Sequence, residues 1–140
     1  MRSDRAIYTG FEFEIESFPA SAIINATLKD MADKRDFPYA VFIALIPDQF
    51  DEVGHPTPEE YDFLNTIEKV IINYLENQTK SVHIGHTTIY RARQVIFYTN
   101  DREQVESYLD HYLPTIGREA DFEIESDPEW EQVSAFYDKL

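Results

Sequence analysis

The chain contains no cysteine and only four glycines. Without cysteine there is no disulfide framework, no thiolate nucleophile and no cysteine-ligated zinc. Gly10, Gly54, Gly85 and Gly117 are too scattered to build a phosphate-cradling loop. Basic residues are scarce as well: 12 Lys and Arg stand against 27 Asp and Glu, a net charge of −15. Nucleic-acid binding needs cations that displace counterions from phosphates, so nucleic acid is excluded as a partner. The longest apolar run covers residues 39–47, too short to cross a bilayer. Residues 1–5 carry no apolar signal segment. The expectation is a soluble cytoplasmic protein, in which the Asn77-Gln78-Thr79 sequon stays idle.

What is present is enough apolar surface for a core. Of 140 residues, 43% are hydrophobic and 14% aromatic, which argues against disorder. No linker or low-complexity stretch interrupts the pattern, so residues 1–140 read as a single α+β domain. The acids crowd toward the end: residues 101–140 hold twelve against three bases. Such a field keeps a protein soluble, and it steers a basic partner over about 10 Å at moderate salt.

From residue 39 to 124 the hydrophobic period reads strand, helix, strand, strand, helix, strand. That order predicts a ferredoxin-like sandwich, a βαββαβ core. An N-terminal β-hairpin precedes it and a C-terminal helix follows. Phe11, Phe13 and Ile15 alternate with glutamates in the first strand. Residues 17–20 break it, and residues 21–28 suit a second strand or a short helix. Residues 39–46 are apolar on both faces, as in a central strand. Thr57, Pro58 and Glu60 announce the long helix by a capping box. Its stripe runs through Phe63, Leu64, Ile67, Val70, Ile71, Tyr74 and Leu75. Residues 82–90 and 94–99 pair across a turn at Arg91-Ala92-Arg93. Asn100 and Glu103 start a second helix, ended by Pro114 and Gly117. Residues 120–125 form the last strand, and Asp127-Pro128 caps a final helix carrying Trp130, Val133, Tyr137 and Leu140. Phe13-Glu14-Ile15-Glu16-Ser17 recurs as Phe122-Glu123-Ile124-Glu125-Ser126. Adjacent copies would oppose their glutamates, so either the strands lie apart or cations separate them.

The chemistry-bearing residues are few. His83 and His86 sit three apart, and on a regular strand that sends them to opposite faces, His83 with Gly85 and His86 against them. They share a metal only if the strand breaks at Gly85, so no metal and no cofactor is expected. His55 neighbours Asp51 and Glu52 in a loop, and His111 lies on the outside of its helix. No serine sits in a nucleophile elbow. Carboxylates are too abundant for any pair to stand out as acid and base. Most of the aromatics fall on core stripes. Tyr90, Arg91 and Arg93 form the densest basic spot of the acidic half, at a turn where Arg and Tyr suit an interface.

Several stretches together resemble a bacterial domain family of unknown function, number 695 in its series. They are residues 58–64, Val82-His83-Ile84-Gly85-His86, residues 91–98, and Asp127-Pro128-Glu129-Trp130. That family is similar to the regulator of ribonuclease E activity B. The resemblance implies a ferredoxin-like fold, no established catalytic residues, and an acidic protein that binds and inhibits an endoribonuclease.

Two functional expectations follow. In the first, the chain is a non-enzymatic regulator that binds another protein, a basic one such as an endoribonuclease. It would do so through Asp121, Glu123, Glu125, Glu129 and Glu131, with Arg91 and Arg93 as a second contact. In the second, it binds or transforms a small molecule in a cleft on the open sheet face near His83, His86 and Tyr90. Pairing of the first strand with a second copy would give a homodimer.

Overall fold

The computed structural model describes residues 6–140; residues 1–5, read above for a signal segment, lie outside the described residues. Six strands form: β1 (Tyr8–Ile15) and β6 (Ala120–Ser126), which alternate polar and apolar residues at their ends, and β2 (Phe18–Asn25), β3 (Tyr39–Leu45), β4 (Ser81–Ile89) and β5 (Ala92–Thr99), which are largely buried. Three helices accompany them: α1 (Pro58–Gln78), α2 (Arg102–Tyr112) and α3 (Ser134–Asp138). The strands form one sheet in the order β1-β2-β4-β5-β3-β6, with every pairing antiparallel. The fold is therefore mixed α and β around a six-stranded antiparallel sheet. No described helix is long and apolar enough to cross a membrane.

The sheet is covered on both faces. On one, Val41, Ile43, Leu45, Val95 and Phe97 meet the stripes of α1 (Leu64, Ile67, Ile71, Leu75) and α2 (Val105, Leu109). On the other, Ala22, Ile24, Val82, Ile84, Ile96 and Tyr98 meet Leu28, Phe37, Trp130, Val133 and Tyr137. The second face is thus not open: the chain's own C-terminal segment lies on it.

Local chemistry explains most boundaries. Thr57 caps α1 by accepting from the Glu60 amide, and Pro58 fills the first helical position. The Glu60 carboxylate does not close a capping box; it accepts from the Asp48 amide and from Arg118. Glu16 and Ser17, both with positive φ, form the two-residue turn between β1 and β2. Phe18 and Pro19 therefore begin β2 instead of breaking the hairpin. Tyr90-Arg91 makes the β4–β5 turn, with Arg91 left-handed, so Ala92 and Arg93 belong to β5 rather than to the turn. Asn100 does not cap α2: Asp101 stands at the cap, and the Asn100 side-chain Nδ2 donates to Asp36 O. Buried Asp127 secures the C-terminal segment. It accepts from the Glu131 and Gln132 amides and from the Tyr98 hydroxyl at 2.6 Å, while Trp130 Nε1 donates to Phe37 O.

The repeated pentapeptide begins at the end of edge strand β1, with Glu16 and Ser17 in the turn after it, and recurs within the opposite edge strand β6. Phe13 packs against the C-terminal segment's side of the sheet, whereas Phe122 packs against the α1–α2 side. The two sets of glutamates therefore point to opposite faces, and no cation is needed between them.

Candidate functional site: a buried polar cluster beneath α1

The buried stripe of α1 carries two acids, Glu60 at its start, paired with Arg118, and Glu68 in its middle. Glu68 lies four residues after Leu64 and three before Ile71, on the face that meets the sheet, and is 5% exposed. A carboxylate buried there needs donors, and the sheet supplies three. His83 Nε2 approaches Glu68 Oε2 at 2.8 Å, His86 Nδ1 approaches Oε1 at 2.8 Å, and Arg93 Nη1 donates to Oε1 at 3.0 Å. Arg93 also donates to Asn65 Oδ1 and lies under the Tyr61 ring, 5.1 Å from its centroid.

A single irregularity brings the two histidines together. Between His83 and Gly85 the β4–β5 register shifts by one residue, so His83 opposes Phe97 and His86 opposes Val95. Phe97 and Val95 both face α1. The reading that set His86 against His83 is thereby corrected: a β-bulge absorbs one residue and returns His86 to the face of His83. Gly85 is required for it, because φ is +146° and a Cβ there would stand 1.9 Å from Ile23 O.

Hydrogen-bond partners assign the protons. Tyr8 OH lies 2.8 Å from His83 Nδ1. Burial raises the Tyr8 pKa, and the negative charges of Glu76 and Glu68 raise it further, so the phenol keeps its proton and donates to His83 Nδ1 when that nitrogen is bare. His83 then holds its own proton on Nε2, facing Glu68. Burial works against ionisation of Glu68, but hydrogen bonds from His83 and His86, joined by their charge when the rings are protonated, outweigh it and hold the carboxyl below its usual range. Burial lowers the Arg93 pKa, and Glu68 opposes that shift. The centre of the cluster is an ion pair, Glu68 with Arg93, whose remaining acceptor positions are filled by two imidazoles.

This cluster borders a trough between α1 and the β1–β2 hairpin. One depression of about 170 Å³ is lined by Tyr8, Ile23, Lys69 and Ile72 beside Glu68, His83 and His86. A second, of about 500 Å³, lies at the start of α1, lined by Tyr61 and Asp62 with Ser21 of β2, Thr88 of β4 and Asp51 and His55 of the loop before the helix.

The other candidate residues fall elsewhere. Tyr90 stacks on Phe18 with centroids 4.3 Å apart, outside the histidine cluster. Arg91 is exposed, but its amide donates to Gly54 O and its guanidinium lies over Phe50, so the turn is tied down. Arg93, 1% exposed, is excluded as a surface contact; its partner is Glu68. Asp121, Glu123 and Glu125 are exposed on edge strand β6, Glu131 is exposed, and Glu129 pairs with Arg35. The Asp51 carboxylate accepts from the Val53 and His55 amides, and His55 Nε2 meets Pro19 O. Exposed His111 contacts Ser107 O within its own helix. Among the described residues, no group of three or more His, Asp or Glu is set to hold a metal ion. Sequence reasoning missed Glu68, and its signal was an acid in the middle of an apolar helical stripe.

No curated protein and no solved structure matches the chain. One family does, over residues 9–137. The chain belongs to the Family of unknown function described as DUF695.

Proposed function

We propose that this protein binds a small molecule in the trough between α1 and the β1–β2 hairpin. One observation carries the reading: an ion pair with two attendant histidines is buried at the trough's edge. Desolvating two charges costs several kcal/mol per ion before their attraction repays it. A buried ion pair beside a cavity and perturbed titratable groups is the pattern of a binding site. A thermal-shift survey of small uncharged and anionic metabolites tests it. A binder present at about 100 times its Kd stabilises the fold by roughly 2.7 kcal/mol. Ile72→Trp, which fills the smaller depression, should abolish that gain. A survey without any stabilising compound, or gains that survive Ile72→Trp, would refute the site.

A second reading rests on edge strand β6. Asp121, Glu123 and Glu125 stand exposed along it, and its outer side has no strand partner. A basic protein, such as an endoribonuclease, could add there, as regulators related to ribonuclease E inhibitors would in the cytoplasm of a bacterium. Glu123→Lys with Glu125→Lys should weaken such binding and flatten its salt dependence. A tagged pull-down at low and high salt decides: a partner retained at high salt, or by the double variant, removes this reading. The βαββαβ order, with β4-β5-β3-β6 as neighbours, supports a ferredoxin-like core extended by the β1–β2 hairpin.

A further inference from the structure

We infer that His86 Nε2 is the recognition atom of the smaller depression, and that its ligand is a small, uncharged, largely apolar molecule with one hydroxyl or amide N–H donor. The inference rests on the binding reading above and specifies its chemistry. His86 is 8% exposed, and its Nδ1 is taken by Glu68 at 2.8 Å. A neutral imidazole has one N–H and one lone pair. In the neutral ring, the ionised carboxylate that accepts at Nδ1 fixes the proton there, which leaves the lone pair at Nε2. That atom bonds to no described residue, and His86 lines the depression. Glu68 cannot rotate away to release the ring, since His83 and Arg93 hold its two oxygens from other directions. His86 is therefore held in one tautomer, an acceptor at the edge of an unfilled space.

The walls decide the rest of the ligand. Tyr8, Ile23 and Ile72 present mostly apolar surface. A charged ligand would lose its hydration there without enough partners to replace it. About 170 Å³ is close to the ~150 Å³ that accommodates one benzene ring in an apolar cavity. A ligand of that size carrying one donor fills the space and satisfies Nε2. Exposed Lys69 at the rim disfavours a cationic donor such as an ammonium.

Phenol and toluene are the probes, because they share a ring and differ by the donor. Long-range 1H–15N spectra follow His86 Nε2 while methyl spectra follow Ile23 and Ile72. Phenol should move all three saturably and shift Nε2 in the direction of an accepted hydrogen bond. Toluene should bind roughly tenfold more weakly, the cost of leaving one acceptor unmet. Ile72→Trp, which leaves Glu68 and His86 in place, should abolish both. Equal affinities, or methyl shifts with Nε2 unmoved, would show that the depression binds while His86 does not select, and would overturn this inference alone. If neither probe moves the Ile23 and Ile72 methyls, the depression binds nothing of this class and this inference falls, while the metabolite survey still decides the binding reading.

Discussion

Replacing Glu68 by Gln keeps the side chain's shape and removes its charge. Glu68 receives three donors on two oxygens: His83, His86 and Arg93. Gln has one oxygen, and its amide group is itself a donor. Either histidine can move its proton to the other nitrogen, but Arg93 keeps its charge at any ordinary pH. That guanidinium is 1% exposed and would have no counter-charge within hydrogen-bond reach. Breaking a buried pair from one side costs about 3–5 kcal/mol, a large share of the roughly 5–15 kcal/mol that stabilises a typical domain. At this chain length the melting temperature should fall by roughly 10 °C. Urea denaturation followed by far-ultraviolet circular dichroism measures the loss. Adding Arg93→Met removes the stranded charge, so the double variant should cost at least about 1 kcal/mol less than the two single changes summed. The pH dependence follows from the same carboxylate. Its pKa lies below the ordinary 4.5 in the folded chain. Its contribution is therefore fully present above pH 4.5 and is lost as pH falls below that value. Glu68→Gln should flatten this acid limb. A loss under about 1 kcal/mol with an unchanged acid limb would refute the ion-pair account.

Other changes probe separate parts of the fold. Gly85→Ala should prevent the bulge, because its Cβ would meet Ile23 O at 1.9 Å; loss of cooperative melting checks this. Tyr98→Phe leaves Asp127 with its two amide donors, so it should cost only about 1–2 kcal/mol in denaturation, with the fold retained. Trp130→Ala empties the centre of the second core and should cost about 3–5 kcal/mol by the same assay. Glu123→Lys with Glu125→Lys should shift stability by no more than about 1 kcal/mol in total, since both side chains are exposed on an edge.

The parts of the fold that repeat over several turns or residues were legible. The α1 stripe and its Thr57–Pro58 start needed only the helical period and cap chemistry, and both are present except at Val70, which stands exposed at the edge of the stripe. Asp127 reads in the sequence as the cap of the final helix, but that helix begins only at Ser134; Asp127 instead accepts from the Glu131 and Gln132 amides of the turn before it and from Tyr98, a contact 29 residues away in sequence. The histidine pair was misplaced because alternation counts faces only while the pleat is unbroken. One extra residue at the bulge reverses every later assignment on the strand. Gly85 marked the place without saying that the chain would bulge there. Arg93 looked like a turn residue because charge suggested exposure. Its burial is explained by Glu68 on a helix 25 residues earlier, a pairing no local pattern contains. Likewise, the second sheet face looked open because the C-terminal helix could be placed in the sequence but not in space.

Both rims of the sheet end in the same pentapeptide, Phe-Glu-Ile-Glu-Ser, with its acids turned to opposite faces. The chain thereby protects its two unpaired margins against fibre-like stacking, since another copy sliding alongside would bring rows of carboxylates together. That protection is held by charge alone. Acidification would remove it from both margins at once, and crowded, acid conditions are where this protein would first polymerise edge to edge.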